Sequence, residues 1–171
     1  LNHLPDDLPK PNYNRDNVTV GIVHIGVGGF HRAHQAVYID QLIALGNHNN
    51  WGICGIGLLE SDTGMKDALT SQDCLYTLIQ KDKNIYQPSI VGSMVEFIHA
   101  PTNPDVFMQR LIHPDTKIVS LTITEGGYCF DDVTGDFLEN HPPIVHDLEN
   151  PDSPISVFGY ISNALSIRKE K

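Results

Sequence analysis

The chain is poor in basic residues. Of its 171 residues, 11 are lysine or arginine and 21 are aspartate or glutamate, which gives a formal net charge of −10 at pH 7. Binding to the phosphate backbone of a nucleic acid needs clustered lysines and arginines, and those of this chain are scattered. We therefore expect no nucleic-acid partner. A small anionic ligand is not excluded by the net charge, because the local field at a helix N-terminus decides such binding.

The sequence also lacks long apolar runs and paired cysteines. No stretch approaches the ~20 apolar residues of a membrane span. The first residues show neither the basic start nor the apolar segment of a signal peptide, so we expect none. The three cysteines, Cys54, Cys74 and Cys129, are far apart and show no C-x-x-C spacing, which indicates reduced thiols. These absences predict a cytoplasmic protein without a membrane partner. A hydrophobic content of 40% and a length of 171 residues suit one globular domain.

The most informative segment is residues 18–35, VTVGIVHIGVGGFHRAHQ. An apolar, β-branched run ends in Gly26-Val27-Gly28-Gly29, and a helical pattern follows. A buried strand, a glycine turn and a helix start together predict a site for a pyrophosphate, because glycines allow the sharp turn and the close approach of a ligand. His31 stands where the third glycine of G-x-G-x-x-G is usual, so the motif is moderately specific. A strand-turn-helix without a ligand is the alternative.

Apolar strand patterns alternate with helical ones along the rest of the chain. We predict strands at 18–26, 52–59, 74–81, 85–99 and 117–124, and helices at 31–46, 64–71, 104–112 and 154–171. We interpret residues 1–17 as an extended arm, 74–99 as a hairpin-like excursion at the sheet edge and 131–154 as a long loop. The alternation predicts an α/β fold with a doubly wound, mostly parallel sheet and helices on both faces, over residues 18–171.

A dinucleotide site needs a carboxylate after the second strand to bind the ribose hydroxyls. Glu60 and Asp62 both stand there, and the alternative role for them is a solvated helix cap. A carboxylate at this place disfavours a 2′-phosphate, so we expect NAD rather than NADP. Arg32 and Lys66 leave NADP open, because either side chain could reach a phosphate.

Polar residues also follow the strand at 117–124. Thr122, Thr124 and Glu125 lie at its carboxyl end, where ligands of open α/β sheets bind. Glu125 could accept a hydrogen bond from a ribose or relay a proton, and the alternative is a polar residue that merely ends the strand. His31 and His34 have the spacing of two ligands on one helix, but no matching carboxylate or cysteine is near, so we expect no metal.

A base for hydride-transfer chemistry is missing from the motifs. Oxidation of an alcohol needs a group that takes the hydroxyl proton. Tyr128 has no lysine at helical spacing after it, and no nucleophile elbow is present. The residues therefore predict a chain that binds a cofactor but does not supply the catalytic base.

Five segments in this order resemble the long-chain polyol dehydrogenases, the mannitol 2-dehydrogenase and fructuronate reductase family. They are VGIVHIGVGGFHRAHQAVYIDQL, WGICGIGL, QDCLYTLI, IVSLTITEGGY and SVFGYISNAL. The resemblance covers residues 18–171 and is greatest to the mannitol 2-dehydrogenase branch. It implies a Rossmann-like N-terminal domain and a helical C-terminal domain that carries the catalytic lysine in K-x-x-x-x-N-x-x-x-H. This chain has no such motif, so we expect it to be the cofactor domain alone.

The resemblance also implies the site residues. The dinucleotide turn would be formed by Gly26, Gly28, Gly29, Phe30, His31 and Arg32, with Glu60 or Asp62 as the acidic position. Beside these residues we expect Ile25 and Val27, and Thr122 and Thr124 at the end of the strand predicted at 117–124, to bind the cofactor. Glu125 matches a glutamate near the nicotinamide side of the cleft, and the resemblance implies that it helps to pass protons to water.

We expect the NAD-binding domain of an enzyme that interconverts D-mannitol and D-fructose, inactive without its second domain. The alternatives are another polyol or ketose substrate of the family (fructuronate or tagaturonate, arabinitol, sorbitol) and a non-catalytic dinucleotide-binding module.

Overall fold

A computed structural model describes residues 1, 4–131 and 133–169, apart from the side chain of Glu125. The strands are β1 (Val20–Ile25), β2 (Gly52–Gly57), β3 (Tyr76–Asp82), β4 (Ile85–Val91), β5 (Met94–His99) and β6 (Ile118–Leu121). The helices are α1 (Gly29–Ala33), α2 (Gln35–Ala44), α3 (Thr63–Ser71), α4 (Pro104–Ile112), α5 (Pro142–Glu149) and α6 (Val157–Lys169).

Four strands form a parallel sheet in the order β5-β2-β1-β6. Every residue of β1 and of β2 is buried, as expected for central strands covered on both faces. In the register, Ile25 lies between Ile56 of β2 and Leu121 of β6. The carboxyl ends of these three strands therefore meet at one edge of the sheet.

Helices cover both faces of the sheet, and each face has its own apolar core. On one face α4 and α6 pack on the strands, with the ring of Phe107 4.6 Å from that of Tyr160. On the other face Ala36 of α2 and Leu69 of α3 pack against Ile22 and Ile53. The predicted Rossmann-like layering is confirmed. No helix of the described residues is long and apolar enough to cross a membrane.

The segment that we predicted as a hairpin-like excursion divides into two parts. β3 and β4 form an antiparallel hairpin in a separate two-stranded sheet, but β5 is one of the two outer strands of the main sheet and pairs parallel with β2. The prediction was therefore wrong for residues 94–99. Met94 and Ile98 are buried, and their burial against the helices explains why this strand joins the main sheet.

Two other predictions differ from the structure. The helix predicted at 31–46 is two helices, because His34 has φ −126° and ψ −84°, outside the helical region. The loop predicted at 131–154 contains α5, which begins with Pro142 and Pro143. Proline is favoured in the first turn of a helix, where its missing N–H costs nothing.

Residues before β1 contact the hairpin and α2. Pro9 accepts a hydrogen bond from the backbone N–H of Ile90, and the Tyr13 hydroxyl donates to the carboxylate of Asp40. The guanidinium of Arg15 donates to the carbonyls of Gly92 and Met94 at 3.0 Å each. These contacts hold the hairpin beside α2.

Candidate functional site

A cleft of about 280 Å³ opens where the carboxyl ends of β1, β2 and β6 meet. The chain runs from β1 to β2 and β5 on one side and returns to β6 on the other. The strand order thus reverses between β1 and β6, the place where open α/β sheets bind ligands. The cleft is lined by Gly26, Val27, Gly28, Gly57, Leu58, Leu59, Asp62, Met65, Phe97, Thr122, Ile123, Thr124 and Gly127.

The turn after β1 requires glycine at its first position. Gly26 has φ +90°, and a Cβ there would stand 2.6 Å from the carbonyl oxygen of Thr122. A Cβ on Gly28 would meet no atom of the described residues within 4 Å. Since none of these residues demands glycine at this position, the bare backbone of Gly28 leaves free space in the cleft for a ligand.

Backbone N–H groups follow this turn. The first hydrogen bond of α1 runs from the N–H of Arg32 to the carbonyl of Gly28 at 3.1 Å. The N–H groups of Gly29, Phe30 and His31 precede it and have no acceptor within the helix. α1 has only five residues, so these groups matter more here than the dipole of the one long helix that the sequence predicts.

The structure distinguishes between the two candidate acids. Asp62 lines the cleft and is half-buried, and its Oδ2 accepts a hydrogen bond from the N–H of Leu59 at 2.9 Å. Glu60 is exposed and lines a neighbouring cavity of about 480 Å³ that also contains Asp105 and Asp152. Of the two acids, Asp62 is the one that shares the cleft with the glycine turn.

The segment after β6 closes the other side of the cleft. The backbone N–H of Thr122 bonds to the carbonyl of Ile25 at 3.0 Å, and its hydroxyl donates to the carbonyl of Gly26 at 2.8 Å. Thr124 is exposed in the cleft lining. The backbone of Glu125 begins a helical turn at Glu125–Tyr128, but its side chain lies outside the described part of the chain.

Two stacked histidines lie beneath the turn. The rings of His24 and His31 are 3.6 Å apart at their centroids and nearly parallel, and both residues are fully buried. Burial lowers the pKa of His24 to about 4. Burial, and then the neighbouring His24, lower the pKa of His31 to about 3. Both imidazoles are therefore neutral at pH 7.

Four other predicted residues lie beside the cleft. Ile25 is fully buried at the end of β1, and Gly29 is exposed. Phe30 is 68% exposed and stacks on His34 at 4.5 Å. The Nη1 of Arg32 lies 3.5 Å from the sulfur of Met65, which itself lines the cleft.

The apolar lining of the cleft was not predicted from the sequence. The missed residues are Leu58, Leu59, Met65, Phe97, Ile123 and Gly127. The position of Leu58 and Leu59 directly after β2 could have indicated them, since the carboxyl ends of parallel strands share one edge. Phe97 was not predicted because residues 94–99 were assigned to a hairpin and not to the main sheet.

No group of three or more histidine, cysteine, aspartate or glutamate side chains suited to a metal occurs in the described residues. His31 is stacked on His24, whereas the Nδ1 of His34 lies 2.9 Å from the carbonyl of Phe30. The two histidines of the predicted pair thus engage different partners.

The sheet order and the glycine turn at its reversal define a Rossmann-like α/β domain. The chain belongs to the mannitol dehydrogenase Rossmann domain family, which matches residues 20–171. The resemblance inferred from the sequence motifs is thereby confirmed.

Relatives and solved structures agree with this assignment. Mannitol dehydrogenase 2 of Saccharomyces cerevisiae is 42% identical over 174 residues, covering 100% of this chain and 34% of the relative. Mannitol 2-dehydrogenase of Aspergillus fumigatus is 46% identical over 164 residues, covering 94% and 33%. Mannitol 2-dehydrogenase of Pseudomonas fluorescens, solved as a ternary complex with NAD and D-mannitol, superposes with a TM-score of 0.93 at 43% identity, covering 99% and 35%.

A D-sorbitol dehydrogenase, solved in substrate-free form, superposes with a TM-score of 0.90 at 38% identity and covers 98% of this chain and 35% of that one. The chain thus spans about a third of the length of the relatives that it matches.

Proposed function

We propose that this chain is the NAD-binding domain of a polyol dehydrogenase that interconverts D-mannitol and D-fructose. The observation that carries the proposal is the cleft at the sheet reversal, where an open glycine backbone and a carboxylate stand on neighbouring strand ends. Relatives of 42–46% identity that are named mannitol dehydrogenases support the choice of substrate class.

The residues present fit a dinucleotide. The open space above Gly28 would admit the pyrophosphate against the N–H groups of Gly29, Phe30 and His31. Asp62 would accept hydrogen bonds from the adenosine ribose, and its negative charge would repel the 2′-phosphate of NADP. Thr122 and Thr124 would line the part of the cleft that takes the nicotinamide half of the cofactor. Bound NAD supplies the hydride acceptor or donor.

The proton has to be handled by a separate group. We assign the base that takes the polyol hydroxyl proton to a further domain, since the relatives are about three times as long as this chain. In this division residues 1–17 form an arm, 18–171 form the cofactor domain, and Glu125 passes protons at the edge of the site. The 171-residue chain alone would bind NAD weakly and show no turnover. Its place would be the cytoplasm.

Two alternative functions are each supported by a specific observation. The likeness to a D-sorbitol dehydrogenase favours another polyol as a substrate of the same chemistry. A non-catalytic dinucleotide-binding module would use the same cleft without a second domain. Tight binding of NADH by a stable monomer of this chain would favour the module.

The proposal is tested by calorimetric titration with NADH and NADPH of the protein and of two variants. We expect NADH to bind more tightly than NADPH. Asp62→Asn should weaken NADH binding about tenfold and narrow the preference over NADPH, because it removes the charge facing the ribose. Glu60→Gln is the matched control and should bind like the wild type, since Glu60 faces the neighbouring cavity.

The absence of NADH binding by the wild-type protein would contradict the proposal. An effect of Glu60→Gln larger than that of Asp62→Asn would contradict the assignment of the ribose carboxylate.

A further inference from the structure

His31 replaces the third glycine of the motif without reaching the cleft. Its side chain is fully buried and stacks on His24 of β1. A glycine at this position normally lets the helix pack closely on the strand. Here two imidazole rings fill the space between α1 and β1, so the turn needs another means of fixing its position.

Hydrogen bonds run from His31 to β6. The Nδ1 of His31 lies 3.0 Å from the side-chain oxygen of Gln35, and the side-chain nitrogen of Gln35 donates to the hydroxyl of Ser120 at 3.2 Å. The Ser120 oxygen lies 2.8 Å from the Nδ1 of His24. These three contacts connect α1, α2, β6 and β1.

The contacts continue from His24 to the glycine turn. The Nε2 of His24 lies 2.9 Å from the hydroxyl of Thr122, which donates to the carbonyl of Gly26 at 2.8 Å. All five bonds are satisfied in one direction. His31 donates from Nδ1 to Gln35, Gln35 to Ser120, Ser120 to Nδ1 of His24, His24 from Nε2 to Thr122, and Thr122 to Gly26.

This direction assigns opposite tautomers to the two histidines, with the proton on Nδ1 of His31 and on Nε2 of His24. It also accounts for the Nε2 of His31, which is buried without a hydrogen-bond partner among the described residues. In the assigned tautomer this atom carries a lone pair rather than a proton, so it is not an unpaired buried donor.

We propose that His31, Gln35, Ser120 and His24 are positioning residues that hold the Gly26 carbonyl, and with it the glycine turn, in the conformation that binds the dinucleotide. The inference rests on the proposed function of the cleft. None of the four side chains lines the cleft, so these side chains act through Thr122 and Gly26. Loss of any link leaves buried polar groups unpaired and frees the turn to move.

Ser120 offers the sharpest test, because it lies in the middle of this series of hydrogen bonds and outside the cleft. Ser120→Ala removes the hydrogen bonds of this hydroxyl to His24 and Gln35, whereas Ser120→Thr keeps the hydroxyl on a side chain that suits a strand. We expect Ser120→Ala to weaken NADH binding about tenfold in a fluorescence titration and Ser120→Thr to restore it to within about twofold. Each variant should be prepared in the same 171-residue chain as the wild type.

Leu111→Ala controls for lost stability. Leu111 is buried in α4, in the core cluster of the other face, and this variant should lower the melting temperature at least as much as Ser120→Ala while leaving the NADH dissociation constant unchanged. Wild-type affinity in Ser120→Ala, or an equal loss in Leu111→Ala, would overturn the inference. A wild-type protein that fails to bind NADH would instead refute the proposed function.

Long-range ¹⁵N–¹H spectra of the imidazoles test the hydrogen-bond direction without any ligand. The expected pattern is a proton on Nδ1 of His31 and on Nε2 of His24, with a shift of the His24 signals in Ser120→Ala. The same tautomer in both rings would overturn the inference independently of cofactor binding.

Discussion

The two sides of the cleft differ in their chemistry. On the β6 side, hydroxyl and imidazole groups of His24, Ser120 and Thr122 hold the turn through directional hydrogen bonds. On the β2 side, the lining is largely apolar and includes Leu58, Met65 and Phe97. Hydrogen bonds lose their energy with small displacements, whereas apolar contacts tolerate changes of shape at similar volume. The side-chain hydrogen bonds to the turn therefore lie on the β6 side, and the apolar side chains of the β2 side would enclose a bound ligand.

The largest effect should come from the turn itself. Gly26→Ala forces an L-residue into φ +90° with its Cβ 2.6 Å from a backbone oxygen, so we expect a loss of about 3 kcal/mol in the free energy of unfolding. Urea unfolding measures it. Gly28→Ala is the matched control: its Cβ meets no atom in the part of the chain that the structure describes, so stability should change by less than about 1 kcal/mol while NADH affinity falls. Equal stability losses in the two variants would contradict this account of the turn.

The pH dependence of stability should report on the two stacked histidines, which belong to the hydrogen bonds of the β6 side. The folded-state pKa values of about 4 for His24 and about 3 for His31 lie below the usual value of 6.5. The unfolded chain therefore takes up protons at a higher pH than the folded chain. Stability is full above pH 6.5 and falls as the pH falls toward the folded-state values, by roughly 2 kcal/mol per histidine at pH 5.

Urea unfolding at pH 7.5 and pH 5 checks this slope. His31→Gln should reduce the loss by about half, since one of the two depressed groups is gone. Met65→Leu, altered on the β2 side, should keep the wild-type slope. An unchanged slope in His31→Gln would show that the stacked pair does not contribute to it.

The smallest effect is expected on the β2 side. Met65→Leu conserves volume, so unfolding free energy should change by less than about 1 kcal/mol and the NADH dissociation constant by less than about twofold. Calorimetry and urea unfolding measure the two quantities. A tenfold loss of affinity would show that the β2 side also positions the ligand, and the distinction between the sides would fail.

The sequence predicted the fold where one local pattern determined the structure. The apolar run of β1 followed by Gly26 predicted a strand and a turn, and both are present. Pro104 and the periodicity after it predicted α4 at its observed bounds. The chemistry of these residues restricts the backbone within a few positions, so no distant contact was needed.

The errors arose where distant contacts decide. The pairing of β5 with β2 depends on burial between helices, which the local pattern of residues 85–99 does not show. Proline, aspartate and asparagine around α5 resemble a loop as much as a helix start. The break at His34 leaves the carbonyl of Arg32 to accept the hydroxyl of Tyr76 at 2.6 Å, a partner 44 residues away.

The positions of the candidate site residues could be predicted in part. Adjacent strand ends brought Gly26, Gly28, Thr122 and Thr124 into one cleft as expected. The choice between Glu60 and Asp62 could not be made from spacing, because it depends on the turn at Glu60–Asp62, which directs one acid to each cavity. The structure places His31 beneath the turn, and its partners Gln35 and Ser120 lie on elements whose packing the sequence pattern does not show.

β6 has a consequence for handling the protein. Within the described residues it pairs on one side only, with β1, and its apolar side chains Ile118 and Val119 are 44% and 37% exposed. An open edge of this kind offers N–H and C=O groups to any strand that meets it. Concentrated solutions of this chain by itself would therefore self-associate through the edge, and a charged substitution such as Val119→Lys is the direct way to keep it monomeric.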